Sequence, residues 1–130
     1  MKEINNNIKE KRVSFENAKL LKRAGFDIET IESYCSSNSD RIPVSIFPRV
    51  RQYKPNVKEE WYAPTQQLAI GWILINFQIH ITITSISQES WQYHITKIGD
   101  SLGKTYEQDF YTPEEAKEAA INYILTNLIL

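Results

Sequence analysis

The chain has 130 residues, enough for one ordinary domain, and its 42% hydrophobic and 24% charged residues exclude a chain that is disordered throughout. The formal net charge of −1 excludes an overall basic field of the kind that attracts nucleic acids. Cys35 is the one cysteine, so an intramolecular disulfide is excluded, and we expect a cytoplasmic location.

Residues 1–12 are polar and charged, and we expect them to form a flexible lead to a single α+β domain over residues 13–130. The domain begins with a predicted helix. Ser14 is placed to cap the first turn of this helix, and Gly25 can adopt the left-handed conformation that ends one.

Prolines interrupt the segment that follows, residues 27–64, at four positions. Because proline has no backbone N–H to donate, it is confined to the edges and ends of sheets. We therefore predict irregular structure here, with one or two short edge strands at residues 31–36 and 41–47.

A second helix is predicted from Thr65, which can cap it directly after Pro64. A helix that is apolar on most sides is usually buried in the centre of a fold, so we expect a central position for this one. The apolar side chains that cover it are Leu68, Ala69, Ile70, Trp72, Ile73, Leu74, Ile75 and Phe77.

Two alternating patterns follow. Isoleucines alternate with histidine and threonine over Ile79–Thr84, and apolar residues alternate with polar ones over Trp91–Thr96, which predicts two strands with one buried face each. The turn between them is expected at Ser87–Ser90. A third strand over Lys104–Tyr111 completes a predicted antiparallel meander.

The last helix has the clearest start signal in the chain. Thr112 and Glu115 have the spacing of a capping box, and Pro113 occupies the first helical position. One apolar stripe of this helix is expected to pack on the sheet. A second apolar face, which we expect to contact a second copy of the chain, consists of Ile121, Leu125 and Ile129.

The predicted fold is α+β, with a three-stranded antiparallel meander packed on two helices in the order α-β-β-β-α from Thr65. This order resembles that of the double-stranded RNA-binding domain, and the alanine-rich segment Glu115–Ala120 resembles the second helix of that family. The family carries lysines at the start of this helix to bridge phosphates, whereas this chain has Pro113, Glu114 and Glu115. Carboxylates repel phosphates, so we expect no RNA binding through this surface.

A second resemblance depends on short motifs in combination. They are Val13–Glu16 with Ala18–Lys22 and Gly25-Phe26, Ala63–Gln66 before the second helix, the strand start Ile79–Ile81, Trp91, and the helix start Thr112–Ala120. In this combination the chain resembles a family of uncharacterised proteins from Bacteroidetes genomes and their prophages. It departs from the family at Ile73–Phe77, where relatives carry a charged helix end. The resemblance implies an accessory protein of a mobile element or prophage and gives no residue a role.

The polar face of the meander contains both histidines of the chain. With the turn at residues 87–90, His80 and His94 lie diagonally on one face, with α carbons roughly 7–8 Å apart. Glu107 and Asp109 of the third strand are expected on the same face. Two imidazoles and two carboxylates can bind zinc or support acid–base chemistry. The alternative is an ordinary solvated sheet surface, and we expect no cofactor.

A second candidate site is the basic loop formed by Arg49, Arg51, Lys54 and Lys58, with Tyr53 between them. Cations neutralise phosphates, and aromatic rings stack on unpaired bases. This loop therefore indicates a nucleic-acid-binding module as one function. A solvated loop whose aromatic residues cover the core is the other interpretation.

The leading hypothesis is a non-enzymatic protein-interaction module, with an unidentified protein partner or a second copy of the chain. Trp61 and Tyr62 directly precede the second helix, and we expect them to be exposed anchors for a partner. The longest apolar stretch, Leu68–Ile83, is too short and too polar to span a bilayer, so no membrane association is expected.

Overall fold

The computed structural model describes residues 10–37, 45–48, 57–99 and 104–130. Within them the fold is α+β, as predicted, with three α-helices and two three-stranded antiparallel sheets. Among the described residues, every helix is too short or too polar to cross a lipid bilayer.

Helix α1 spans Phe15–Ala24 and has both of the ends that the sequence predicts. The Ser14 hydroxyl accepts a hydrogen bond from the Asn17 amide over 3.2 Å. Gly25 has a φ of 104°, a left-handed conformation that most side chains disfavour. The chain then turns back, and the Phe26 amide donates to the Leu21 carbonyl over 2.9 Å.

The first sheet contains β1 (Glu32–Ser37), β2 (Ser45–Pro48) and β3 (Val57–Tyr62), in the order β2-β1-β3. The sequence predicted one or two edge strands in this region, whereas β1 is paired on both sides. Strand β3 was missed because adjacent charged residues, Lys58, Glu59 and Glu60, conceal its alternation. Its place is determined by pairing with β1, and a pairing between distant segments leaves no local signal.

Helix α2 spans Gln66–Phe77, and the Thr65 hydroxyl caps it by accepting from the Leu68 amide over 3.2 Å. The prediction of a central position for this helix is wrong. One side, with Ala69 and Ile73, is fully buried, whereas Ile75 on the other side is 79% exposed. The helix lies at the margin of the fold, where it packs on α3 and on the strand that follows it.

The second sheet is the predicted meander, with β4 (Ile79–Ser87), β5 (Ser90–Lys97) and β6 (Lys104–Phe110) in the order β4-β5-β6. Ile79 and Ile81 of β4 and Ile95 of β5 belong to the core, and Ile83 packs against it, whereas Ile86 near the end of β4 is exposed. The element order α-β-β-β-α from residue 65 is therefore confirmed.

Helix α3 spans Pro113–Ile124 and continues into a π-helical turn, Leu125–Ile129. Its capping is as predicted, because the Thr112 hydroxyl accepts from the Glu115 amide over 3.1 Å. The Glu115 carboxylate accepts from the Tyr111 amide over 3.3 Å, one residue before the Thr112 amide that the predicted capping box would engage.

The predicted second apolar face of this helix is not a surface. Ile121 and Leu125 are both 0% exposed, and Ile129 is partly buried against the same core. Helix α3 packs on the meander with one side and meets α1 with the other, so both apolar faces are used within one chain. The prediction that Ile121 and Leu125 contact a second copy is therefore wrong. These residues are buried where α1 packs on α3 and on the turn after it, and a contact between such distant segments leaves no local signal in the sequence.

The structured part of the chain begins before residue 13. The Gln66 amide donates to the Lys11 carbonyl over 2.8 Å, and Arg12 forms an isolated bridge with Thr65 and an ion pair with Glu32. Of the predicted flexible lead, residues 1–9 lie outside the described residues.

Candidate functional site

The open side of α2 forms an apolar groove of about 530 Å³. We call it the α2 groove and define it by the five residues Ile28, Leu68, Gly71, Trp72 and Ile75. Its lining also includes Gln67 and Asn76 of α2, the capping residue Thr65, and Glu10. Three of its large side chains remain in contact with solvent, with exposed fractions of 79% for Ile75, 42% for Ile28 and 39% for Leu68.

The groove follows from the apolar composition of α2. A helix with one buried face and apolar residues all round must show some of them to solvent. Leu68, Gly71 and Ile75 recur at spacings of three and four, so they form one stripe on the side opposite to the buried Ala69 and Ile73.

Aromatic contacts hold one wall of the groove in place. The Trp72 ring meets Phe26 edge to face at a centroid distance of 5.2 Å, and it meets Phe77 at 5.4 Å. Phe26 comes directly after the Gly25 turn and is buried. The chain leaves that anchor toward Ile28, which lies across the groove from α2.

A hydrogen-bonded cluster around Glu118 joins the three helices. Oε1 of Glu118 accepts from the Ser14 amide over 2.6 Å and from Nδ2 of Asn17 over 2.7 Å. Oε2 accepts from Nε2 of Gln66 over 2.8 Å. Asn17 also accepts, through Oδ1, from Nδ2 of Asn122 over 3.1 Å. Asn17 and Gln66 are buried, so the cluster connects α1, α2 and α3 through groups that are removed from water.

A polar cleft of about 560 Å³ lies beside this cluster and includes Glu118, Asn17 and Tyr93 in its lining. Burial raises the pKa of the Tyr93 phenol, and the neighbouring Tyr123 raises it further. The polar atoms of Asn17 and Glu118 at this cleft already bond to other parts of the chain. The arrangement therefore serves the packing of the helices.

A second cluster that the sequence did not reveal lies on the first sheet. Ser33 is 0% exposed, and its hydroxyl donates to Oε2 of Glu60 over 2.7 Å. The buried Cys35 lies next to both, with 3.4 Å between its sulfur and the Ser33 oxygen. Only the pairing of β1 with β3 brings these residues together, so no local pattern could have indicated them.

The register of the meander is the one that the sequence predicted. Thr82 pairs with His94 and His80 with Thr96, so both histidines lie on the face turned away from the helices. Asp109 also lies there, where Oδ1 accepts from Nε2 of Gln92 over 2.8 Å. The side chain of Glu107 lies outside the described residues. Among the side chains that the structure describes, no three of the His, Cys, Asp and Glu type are grouped as metal ligands.

The basic loop cannot be placed in the same way. Arg49, Arg51, Tyr53 and Lys54 lie outside the described residues. The backbone of Lys58 belongs to β3, while its side chain is likewise outside the described part. Nucleic-acid binding through this loop stays a prediction.

The two aromatic residues predicted as exposed anchors, Trp61 and Tyr62, lie on β3 and are both half-buried. The Trp61 ring packs edge to face on Phe15 of α1, with 5.0 Å between centroids, and the Lys22 ammonium lies 5.5 Å from its centroid. Trp61 therefore attaches the first sheet to α1. Leu68 and Ile75 of α2 are the more accessible apolar side chains.

Comparison of the chain with protein-family models, with curated proteins and with solved structures found no match. The contacts of the chain itself therefore carry the functional inference.

Proposed function

We propose that this protein is a non-enzymatic protein-interaction module that binds its partner through the α2 groove. The observation that carries the proposal is the exposure of Ile28, Leu68 and Ile75 around one groove, next to Trp72. Contiguous exposed apolar surface of this kind marks contact sites in folded proteins, whereas single exposed apolar residues do not.

The exposed apolar side chains of the groove would contribute favourable energy on binding a partner. Complete burial of one Leu or Ile side chain contributes about 1.5–3 kcal/mol. Ile75 is largely exposed and Leu68 and Ile28 are partly exposed, so their burial by a partner yields several kcal/mol in total. A helical groove of this form is suited to an amphipathic helix that inserts side chains spaced three and four residues apart.

The polar clusters support a role without catalysis. Glu118, Asn17 and Gln66 hydrogen-bond to one another and to the backbone across three helices. Ser33 donates to Glu60 inside the first sheet. In each case the polar atoms are engaged in holding elements of the fold together. The mobile-element origin and the cytoplasmic location belong to the same proposal, from the family resemblance and the single cysteine.

Site-specific photo-crosslinking in cells that produce the protein tests the proposal. The photoreactive residue p-benzoylphenylalanine replaces Gln67, which is exposed and lines the groove. As a matched control it replaces Gln88, which is exposed in the turn between β4 and β5. We expect protein adducts from position 67 and none from position 88.

A second pair of variants links the adducts to the groove. Ile75→Lys places a charge in the groove, while Ile86→Lys makes the same change at an isoleucine that is 58% exposed on β4. The adducts from position 67 should disappear with Ile75→Lys and persist with Ile86→Lys. Adducts that survive Ile75→Lys, or their absence from position 67 in the unchanged protein, contradict the proposal.

A further inference from the structure

We infer that the partner in the α2 groove is a second copy of this chain, whose own α2 packs antiparallel across Gly71. The inference rests on the proposed function, because it names the occupant of the same groove. Three features of α2 support it: a glycine at the centre of the stripe, the absence of charge from the helix, and the uncompensated ends of its dipole.

Gly71 lies between Leu68 and Ile75 in the middle of α2. Glycine is the least favourable residue in a helix interior apart from proline, so its presence there needs a reason. Packing within the chain does not supply one. Apart from its own helix backbone and chain neighbours, no atom of the described residues lies within 4 Å of the point where a β-carbon would stand.

A glycine on an open helix face lets another backbone approach closely. In an antiparallel pair of α2 helices that cross at Gly71, the two glycines meet at the two-fold axis. Leu68 of one copy then lies next to Ile75 of the other, on each side of the crossing. Such a contact is isologous, because the same residues of both copies form it.

The charge pattern favours a second copy over an unrelated partner. An isologous contact brings residues near the axis against their own kind, so a charged residue there would meet its like. The sequence of α2, from Gln66 to Phe77, contains no Asp, Glu, Lys or Arg. The helix also lacks acidic residues in its first turn and basic residues in its last. An antiparallel copy places the opposite end of its dipole at each of these ends.

The size of the surface sets the expected strength. The twelve residues of α2 form a helix roughly 18 Å long. Two such helices bury less surface area than a standard protein–protein interface does. Ile28 and Ile31, both exposed, extend the apolar surface beyond the helix. We therefore expect a weak dimer, with a dissociation constant of about 10–100 μM.

Sedimentation of the purified full-length protein over a range of concentrations tests the inference. The unchanged protein should pass from monomer to dimer, Ile75→Lys should weaken dimerisation at least about tenfold, and Ile86→Lys should leave it unchanged. A protein that stays monomeric up to about 500 μM contradicts the inference. So does a dimer that Ile75→Lys leaves intact.

Gly71→Ala separates the role of the glycine in the dimer from a role in the fold. The added methyl group meets open space in the monomer, so at dilute concentration the melting temperature should rise by about 3–5 °C. The same methyl group separates the helices at their crossing, and dimerisation should weaken several-fold. A lower melting temperature or an unchanged dimer contradicts the crossing at Gly71.

Disulfide trapping tests the antiparallel direction. With Cys35 replaced by serine, a mixture of the Leu68→Cys and Ile75→Cys proteins should form the mixed disulfide faster than either protein forms a disulfide with itself. Faster self-pairing indicates parallel helices and contradicts the inference.

If the purified protein is a monomer while position 67 still gives adducts to another protein in cells, the second copy is refuted and the proposed function stands. Loss of those adducts as well refutes both.

Discussion

The Glu118 carboxylate is the acceptor at which three helices meet, and its removal is the most informative single change for the fold. Glu118→Ala removes the carboxylate acceptor of three donors: the Ser14 amide, Nδ2 of Asn17 and Nε2 of Gln66. Asn17 and Gln66 are buried, so water cannot reach these donors freely. All three distances, from 2.6 to 2.8 Å, are short, as hydrogen bonds to a charged acceptor are.

The size of the effect follows from these contacts. A buried donor that loses its acceptor costs about 1–3 kcal/mol. The three donors share one carboxylate and relax together, so their costs are less than additive. Asn17 and Gln66 also keep their bonds to the backbone carbonyls of Glu118 and Glu114, each at 3.0 Å. We therefore expect Glu118→Ala to lower the free energy of unfolding by about 3–4 kcal/mol.

Chemical denaturation at pH 7, followed by circular dichroism at a protein concentration that keeps the chain monomeric, measures this change. Glu114→Ala is the matched control, because the Gln66 side chain bonds to the backbone carbonyl of Glu114, which the change retains. Its expected cost is about 0.5 kcal/mol, from the lost interaction with the helix dipole. If Glu118→Ala costs no more than this control, the carboxylate does not hold the helices together and the reasoning is refuted.

Three further changes test other parts of the structure. Gln78 ends α2 with a φ of 58°, a left-handed conformation that is strained for residues other than glycine. Gln78→Gly should therefore raise the free energy of unfolding, measured by urea titration, by about 1 kcal/mol, and a lower free energy of unfolding contradicts this backbone strain. Burial first, and Glu118 second, raise the pKa of Tyr34, with Arg12 opposing them. The folded state therefore retains the proton of the Tyr34 phenol to a higher pH than the unfolded state does. The stability that this difference contributes is complete below about pH 10 and is lost as the pH rises further. Tyr34→Phe should accordingly reduce the fall in urea midpoint between pH 9 and pH 11, and an unchanged fall contradicts the assignment. Ile121→Ala should lower the free energy of unfolding by about 2–5 kcal/mol and leave the monomer–dimer equilibrium of the folded protein unchanged, because Ile121 is buried in the core. Weaker association without a loss of stability would show instead that Ile121 lies at an interface.

The second half of the fold was predictable because its signals are local. The capping contacts of Thr65 and Thr112 lie within four residues of each cap. The alternation in β4 and β5 indicates both the strands and the faces that they present. The short turn after β4 then determines which residues pair, so the positions of His80 and His94 followed correctly.

The first half was less predictable because its order comes from distant contacts. Strand β3 is defined by pairing with β1, about 25 residues earlier in the chain.

The exposure of α2 and the burial of Ile121 have a common origin. Both apolar helices offered more apolar surface than the meander could cover, and α1 covers α3 and not the outer side of α2. Composition shows that surplus surface exists, but not which helix is left exposed.

The groove itself had one signal in the sequence. Gly71 stands in the middle of a helix that is otherwise strongly apolar, at a position where alanine is more favourable. A glycine at such a position indicates a close approach, although the sequence does not say what approaches. The open space beside it in the structure shows that the described residues of the chain itself do not make this approach.

Amide hydrogen exchange at two protein concentrations tests the central claim, that two copies of the chain meet at the α2 groove, most directly. Exchange is measured at protein concentrations of about 5 μM and about 300 μM, which lie on either side of the expected dissociation constant. We predict that amides of α2 and of the segment around Ile28 exchange more slowly at the higher concentration, while those of β4 to β6 are unchanged. Exchange that is independent of concentration throughout, or slowing confined to the polar face of the meander, would contradict the account.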